Sequence, residues 1–371
     1  SRAAAHAATL AGTFAYHSAV RTAMAGVVAQ RRFGWVVQRG SPFVGKHGAT
    51  AAAPRLVLVR HGNLCPNPTY VSGARQLSTV SAAGGNGGKD GEGCVVVVTS
   101  GKGGVGKTTT AASLSYGLAQ AGHRTCVIDF DIGLRNMDLH LGCERRVIFD
   151  FVNVIQEQCT LNQALIQDRR NPGLSLLAAS QTKDKEALTQ EGVTRVIREL
   201  QKSFDYVVCD SPAGIESGES KGVPRMRARH AMYLADEAVI VTNPEVSSCR
   251  DSDKMVGFIA SKSRRAETGQ APVRQTLLVT RYDPARAESN EMLTLADIQE
   301  LLGLEVLGLI PESKAVLTAT NLGQPVIVSE GDDAATAYKD AVDRFLGKTV
   351  DLKFVQPKPA GLLKRMFGSS S

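Results

Sequence analysis

The residues best suited to chemistry lie in a glycine-rich stretch, the phosphate loop, at positions 101–108. Its sequence, GKGGVGKT, fits the pattern G-x-x-x-x-G-K-[ST] between an apolar run and a helical pattern. Backbone N–H groups of such a loop, with the N-terminus of the next helix, bind phosphate oxygens. Lys107 is placed to reach the β- and γ-phosphates of a nucleotide, and Thr108 to bring its hydroxyl to Mg²⁺. The pattern predicts a nucleotide site, with a merely tight strand–helix turn as the alternative.

The elements that must position this loop follow from the apolar pattern after residue 93. Short apolar runs, typical of strands buried on both faces, alternate with amphipathic stretches. The predicted strands are 94–98, 125–130, 174–179, 206–210, 237–242, 275–280 and 305–310, and the predicted helices include 107–121, 189–202 and 291–302. This alternation predicts an α/β fold, a P-loop NTPase with a doubly wound, mostly parallel sheet flanked by helices.

Charge is distributed unevenly along the 371 residues. Residues 1–89 contain no Asp or Glu and carry +10, whereas the whole chain carries +7, so residues 90–371 sum to −3. The latter part gives no bulk electrostatic argument for nucleic acid, and none is expected as a partner. The Ala- and Arg-rich N-terminal segment is typical of an organelle-targeting presequence, with a plain disordered tail as the alternative. The sequence ARQLST at 74–79 resembles a mitochondrial processing site.

Composition divides the chain into five segments. A presequence is predicted first and a Gly-rich flexible linker second. An ATPase domain, a proline-containing linker and a C-terminal tail follow. The predicted segments are 1–80, 81–93, 94–350, 351–360 and 361–371.

Cysteine spacing and hydropathy argue against several classes of protein. The seven cysteines are scattered and form no C-x-x-C pair. This argues against a zinc knuckle, an iron–sulfur scaffold or a disulfide framework, and it suits a reducing compartment. No run of about 18 apolar residues is present, so no membrane-spanning helix is predicted. A membrane role would have to be peripheral.

The C-terminal tail has the pattern of a helix that lies in the plane of a membrane. In GLLKRMFG, at 361–368, an i, i+4 spacing puts the apolar side chains on one helical face and the basic ones away from it. The apolar residues are Leu362, Leu363, Met366 and Phe367, and the basic ones are Lys364 and Arg365. The pattern favours a membrane anchor, with an ordinary frayed tail as the alternative.

The phosphate loop contains a second lysine, Lys102, and this resembles the deviant Walker A ATPases, whose loop is K-G-G-x-G-K-[ST]. Further blocks, in matching order, resemble the MinD family of septum-site-determining ATPases. The blocks are 127–155, 179–193, 209–218, 242–254 and 310–327. Several blocks in the right order are much more specific than the loop alone.

This resemblance implies a role for each matched residue around the phosphates. Lys102 would cross the interface of an ATP-bound dimer and stabilise transition-state charge at the partner's site, as an arginine finger does. Asp131 and Asp129 would lie near the attacking water and the Mg²⁺ shell. Asp210 would hold Mg²⁺ as a Walker B aspartate, with a strand-end cap as the alternative, and Gly214 would offer its N–H to the γ-phosphate. The implied catalytic residues are Lys102, Lys107, Asp129 and Asp131, and the implied metal residues are Thr108, Asp129 and Asp210.

The resemblance also implies a wider nucleotide-binding set. Four of its members correspond to positions that contact adenine, and their spacing alone would not single them out. These four are Asn243, Arg281, Pro311 and Glu312. The remaining members are Gly101, Lys102, Gly103, Gly104, Val105, Gly106, Lys107, Thr108, Thr109 and Gly214.

The resemblance finally implies a biological role. ATP and Mg²⁺ would be the cofactors of an ATPase that forms a homodimer with ATP and binds anionic lipid through its tail. MinC-like and MinE-like proteins would be its partners, acting on a tubulin-like FtsZ ring at the division site of an organelle. The presequence and two blocks that are closer to proteobacterial relatives favour the mitochondrion, with the chloroplast as the alternative.

One segment departs from the family pattern. ESKGVPRMRAR, at 219–229, intervenes after SPAGIESG, and it is an insertion or a gene-model error. An insertion here puts regulated hydrolysis in doubt, so a catalytically impaired ATP-binding recruiter is one alternative. A ParA-like segregation ATPase is another, although it would want a basic stripe on the folded domain.

Overall fold

Eight strands form one sheet in the part of the chain that the computed structural model describes, residues 92–181, 188–214 and 230–357. The strand order is β3-β4-β2-β5-β1-β6-β7-β8, and every pairing is parallel except that of β3 with β4. The strands are β1 (Cys94–Thr99), β2 (Thr125–Asp129), β3 (Ile166–Gln167), β4 (Leu174–Leu177), β5 (Tyr206–Asp210), β6 (Glu237–Thr242), β7 (Arg274–Tyr282) and β8 (Glu305–Pro311). The predicted fold class and its seven strands are confirmed, and β3 is an addition. The predicted presequence, the insertion at 219–229 and the tail at 361–371 lie outside the described residues.

Helices cover both faces of the sheet. They are α1 (Lys107–Gln120), α2 (Met137–His140), α3 (Phe151–Ile155), α4 (Leu161–Ala164), α5 (Gln190–Ser203), α6 (Val246–Lys262), α7 (Arg264–Glu267), α8 (Pro284–Glu288), α9 (Leu295–Leu302), α10 (Lys314–Asn321) and α11 (Asp333–Phe345). Residues 230–233 are also helical, and 3₁₀ turns occur at Glu144–Arg146 and Val326–Val328. Helices α1 and α11 pack on one face, and α5 and α6 on the other. No helix among the described residues is long and apolar enough to cross a membrane.

The valine run of β1 explains why the phosphate loop is rigidly placed. Val96 and Val98 belong to the core on one face of the sheet, and Val95 and Val97 to the core on the other. All four side chains are fully buried, as expected for a central parallel strand between two helix layers. The loop therefore starts from the middle of the sheet, at the carboxyl edge where ligands of doubly wound folds bind.

The predicted helix at 291–302 begins too early. In the structure α9 starts at Leu295, because Thr294 and Asp297 form a capping box in which each side chain accepts the other's main-chain N–H. Residues 291–294 are not helical. The separate helix α8, which the Asp283 side chain caps, has already ended at Glu288. The predicted helix therefore starts four residues before the residue at which local capping begins α9.

A C-terminal segment, the clasp (350–355), closes over the edge strand β8. The Arg344 guanidinium donates to the carbonyl oxygens of Leu307 in β8 (2.8 Å), Val350 (2.8 Å) and Asp351 (2.7 Å). Leu352 packs against the apolar cluster on one side of β7 and β8, and Phe354 against the cluster on the other side. The first residues of the predicted linker at 351–360 are therefore attached to the domain.

Candidate functional site

Glycines give the phosphate loop its shape. Gly104 and Gly106 have φ of 74° and 93°, in the left-handed region that side chains rarely adopt. A Cβ at Gly101 would collide with the backbone of Asp251 in α6. Gly106 directly precedes α1, so the N-terminus of a 14-residue helix faces the loop. This is the backbone arrangement that binds phosphate.

Lys107, the first residue of α1, is buried next to two carboxylates. Its side chain is near Asp210 and Asp131, whose charges raise its pKa, while burial lowers it more strongly. The ammonium of Lys107 is a compact positive charge at the N-terminus of α1. It suits the binding of a phosphate group, as predicted for Lys107.

Asp210 ends β5 and provides the site's strongest metal-binding feature. Its carboxylate is buried and accepts a hydrogen bond from the Thr108 hydroxyl. Oδ1 of Asp210 has no hydrogen-bond partner among the described residues. Burial and the nearby Asp129 charge raise the pKa of Asp210, against the Thr108 hydrogen bond and Lys107. A buried, unpaired carboxylate oxygen beside a threonine hydroxyl fits Mg²⁺, so Thr108 and Asp210 would hold the ion.

Asp129 lies directly across from Asp210 in the β2–β5 pairing and has a different observed role. Its Oδ1 accepts the main-chain N–H of Asp131 (2.8 Å), and its Oδ2 accepts those of Asn136 and Met137 (3.1 Å each). Burial raises the pKa of Asp129, while these three N–H groups lower it. The carboxylate holds the loop that carries Asp131, and its proposed place in the metal shell stays a prediction.

Lys102 contacts a different set of side chains from those near Lys107. Its ammonium forms an ion pair with Glu245 (3.1 Å) and a hydrogen bond with Ser247 (3.3 Å) at the start of α6. Lys102 and Glu245 are about half exposed, so the pair is weak and can exchange. In this conformation Lys102 is available for a site outside its own chain only after it leaves Glu245.

Gly214, like Lys102, makes a contact in this structure that differs from the predicted contact with the nucleotide. Its N–H, predicted to meet the γ-phosphate, donates to the Ser100 carbonyl (2.9 Å) at the start of the phosphate loop. Its φ of 70° again requires glycine, and a Cβ would lie 3.1 Å from the Gly101 carbonyl. For the predicted contact, this N–H would have to exchange Ser100 for a phosphate oxygen.

The four residues predicted to contact adenine come from the carboxyl ends of three neighbouring strands. Asn243 follows β6 and is buried, Arg281 lies near the end of β7, and Pro311 ends β8 with Glu312 after it. Arg281 and Glu312 are exposed. Tyr282 pairs with Pro311 across β7 and β8, which brings these two strand ends together. The structure thus collects, along one edge of the sheet, residues that lie up to 69 positions apart in the sequence, from Asn243 to Glu312.

Sequence reasoning missed Thr280, a buried residue of β7. Its hydroxyl oxygen lies 2.7 Å from the Val105 carbonyl in the phosphate loop and 2.8 Å from Asn243 Oδ1. The sequence signal is slight, since Thr280 is a polar residue near the end of an apolar strand, as are Thr99 and Thr242. Only the three-dimensional meeting of β1, β6 and β7 shows its contacts.

The fold and the loop together define a P-loop nucleotide-binding protein with a doubly wound sheet. Residues 96–326 match the family model of the CobQ/CobB/MinD/ParA nucleotide binding domain. The septum site-determining protein MinD of Escherichia coli (strain K12) is 55% identical over 275 residues, which cover 74% of this chain and 98% of that protein. MinD of Neisseria meningitidis serogroup B is 52% identical over 277 residues, with the same coverage.

Similar solved structures belong to the same group of proteins as these relatives. The MinD cell division protein of Aquifex aeolicus has a TM-score of 0.60 and 35% identity, over 70% of this chain and 99% of that one. MinD of Pyrococcus horikoshii, complexed with Mg-ADP, has a TM-score of 0.56 and 26% identity, over 68% of this chain and 95% of that one. The chain belongs to the CobQ/CobB/MinD/ParA family and, within it, is a homologue of the MinD proteins. The resemblance predicted from the sequence is confirmed.

Proposed function

We propose that this chain is a Mg²⁺-dependent ATPase of the MinD type, acting in the placement of a division site. The observation that carries the proposal is the cluster at the carboxyl edge of the sheet, where Lys107, Thr108 and Asp210 meet beside the phosphate loop. The relatives at 50% identity or more are septum site-determining proteins, and the Pyrococcus relative was solved with Mg-ADP. Both facts support ATP and Mg²⁺ as cofactors.

The residues of the chain can carry out hydrolysis as follows. Loop N–H groups and Lys107 bind the β- and γ-phosphates, which orients the γ-phosphoryl group for in-line attack. Mg²⁺ held by Thr108 and Asp210 would neutralise phosphate charge. Asp131, held in place through Asp129, orients the attacking water, and Lys102 from a second copy stabilises charge that develops on the phosphoryl oxygens.

The location and partners of the ATPase form the second part of the proposal. The ATP-bound homodimer would join two C-terminal tails, and the pair would bind anionic lipid more tightly than one tail. A MinC-like partner is supported by the Aquifex relative, whose structure is a MinC:MinD complex. A MinE-like partner is proposed from the family resemblance alone. The basic N-terminal segment supports a location inside an organelle, with the mitochondrion favoured over the chloroplast. There the protein would act on an FtsZ ring.

A passive ATP-binding recruiter is the second candidate. It is favoured by the insertion at 219–229, which follows the SPAGIESG segment that begins at Ser211. A recruiter would bind ATP and membrane but would not turn ATP over. Similarity to a ParA family ATPase of Chlorobium tepidum, at 19% identity, concerns the fold alone.

Phosphate release on anionic liposomes separates these candidates. Wild type, Lys102→Ala and Lys107→Ala are compared, each with a MinE-like activator. We expect Lys107→Ala to lose ATP binding and Lys102→Ala to bind ATP but lose turnover by at least about 10³-fold, as for an arginine finger. Lys202→Ala is a matched control, since Lys202 lies beside Gln201, whose carbonyl meets Gly93 at the opposite edge of the sheet. ATP binding without turnover in wild type would contradict the ATPase and favour the recruiter.

A further inference from the structure

One threonine joins the phosphate loop to a residue at the predicted base site. Thr280 is 5% exposed, and its hydroxyl oxygen lies within 2.8 Å of both Val105 O and Asn243 Oδ1. The Thr242 carbonyl is more distant, at 3.4 Å. A Cβ at Gly106 of the loop would lie 3.8 Å from the Thr280 methyl group. Thr280 thereby contacts both the phosphate loop and the predicted base site.

The contact with Val105 controls the direction of a phosphate-binding N–H. The Val105 carbonyl and the Gly106 N–H belong to one peptide unit, which is trans, so they point in opposite directions. A hydroxyl that holds the Val105 oxygen on the β7 side therefore turns the Gly106 N–H to the other side. That is the loop interior, where phosphate oxygens would lie.

The contact with Asn243 sets the orientation of an amide. A hydroxyl has one proton, but the Val105 carbonyl and an amide oxygen are both acceptors. Both contacts are satisfied when Thr280 donates to Val105 and the Asn243 amide turns over, so that Nδ2 donates to the threonine oxygen. The amide oxygen then faces away from Thr280 and can accept from an exocyclic amine, the group by which asparagine recognises adenine.

We propose that Thr280 is a positioning residue that fixes both the Gly106 N–H toward phosphate and the Asn243 amide toward an adenine base. The inference rests on the proposed function, because it assumes that an adenine nucleotide occupies this site. Loss of the hydroxyl would weaken triphosphate binding. Loss of the hydroxyl would also lower the preference for adenine, which has an amine at position 6, over hypoxanthine, which has a carbonyl at that position.

Equilibrium binding of ATP and inosine triphosphate to the full chain tests this role. Thr280→Val removes the hydroxyl at nearly constant shape, and Thr280→Ser retains it as the matched control. We expect Thr280→Val to weaken ATP binding roughly tenfold, as for one lost hydrogen bond in a buried site, and to lower the ATP-to-inosine preference by a similar factor. Thr280→Ser should keep the wild-type preference. If Thr280→Val does not fold, Thr280→Ala, which also lacks the hydroxyl, takes its place.

A double-mutant cycle with Asn243→Ala shows whether the effect passes through the amide. We expect Asn243→Ala to abolish the preference for ATP over inosine triphosphate. Adding Thr280→Val to Asn243→Ala should then cause no further change in that preference. An unchanged preference in Thr280→Val, or additive losses, overturns the inference while leaving the ATPase proposal intact. A wild-type chain that binds no ATP refutes the proposed function itself. Melting temperatures without nucleotide check that each variant is folded.

Discussion

At the scale of single residues, two buried carboxylates lie side by side next to the phosphate loop. Asp129 and Asp210 are cross-strand neighbours with exposures of 1% and 2%. Three N–H groups stabilise the charge of Asp129, but Asp210 has only Thr108 and the partly compensating Lys107. Burying a charge without full pairing is unfavourable. We infer that Asp210 is retained for cation binding rather than for stability.

Replacing Asp210 with asparagine should separate stability from function. Asp210→Asn removes a charge that burial and Asp129 disfavour, so we expect unchanged or higher stability of the nucleotide-free protein at pH 7. The same change should weaken ATP binding in Mg²⁺ at least about tenfold, since a charged interaction is lost. In EDTA the variant and wild type should bind ATP alike. Denaturant midpoints and calorimetric titration with and without Mg²⁺ measure the two effects.

Asp205 provides the matched control at the start of the same strand region. It forms an ion pair with Arg124 (2.7 Å) that is largely exposed, remote from the phosphate loop. Asp205→Asn should cost at most about 1 kcal/mol and leave ATP binding unchanged. Equal Mg²⁺-dependent affinity in Asp210→Asn and wild type would refute the metal role of Asp210.

At the scale of elements, burial decides what a sequence can predict. The runs of β1, β5 and β6 are buried along their whole length, so apolar pattern alone locates them within a residue or so. The two-residue β3, the break between α8 and α9, and the clasp depend on single caps or on contacts with distant residues. Residues such as Lys107 lie in a local motif, whereas Thr280 acquires its contacts only when the strands assemble.

The clasp stabilises the open edge of the sheet. Edge strands leave main-chain groups unpaired, and covering them prevents pairing with another chain. Arg344 covers the Leu307 carbonyl of β8 and holds Val350 and Asp351 at the same time. Lys353 adds an ion pair with Asp340 of α11 (2.9 Å). The end of the domain is thereby tied to the edge strand.

Arg344→Met should therefore destabilise the domain. It leaves three carbonyl oxygens without their charged donor, and we expect a loss of about 2–3 kcal/mol in the free energy of unfolding. Lys348→Met is the matched control, because the largely exposed Lys348 forms an ion pair with the half-buried Asp343, and its loss should cost less than about 1 kcal/mol. Urea unfolding measures both. Equal losses in the two variants would show that the clasp contributes no more than a surface ion pair.

At the scale of the whole molecule, the net charge of the folded part disfavours binding to an anionic membrane, whereas the sequence of the C-terminal tail favours it. Residues 90–371 carry −3, and without the +2 of the tail residues 90–360 carry −5, so an anionic surface offers the folded part no net attraction. The tail contains Lys364 and Arg365 beside four apolar residues. Burying one such side chain is worth about 1.5–3 kcal/mol when complete, and less at interfacial depth. A single tail should bind marginally, and two joined tails can bind about 10² times more tightly.

Deleting residues 361–371 should thus abolish ATP-dependent pelleting with anionic liposomes and leave ATP binding in solution intact. Within the tail, Leu363→Asn with Phe367→Asn should have nearly the effect of the deletion, since both changes remove apolar side chains from the predicted membrane-binding face. Lys364→Gln with Arg365→Gln should weaken pelleting mainly at low salt, because screening already reduces the electrostatic part at high salt. Pelleting that survives the deletion would place membrane binding elsewhere on the chain. Lys102→Ala would prevent the predicted contact between protomers while leaving the tail intact. If this variant fails to pellet, two tails must act together.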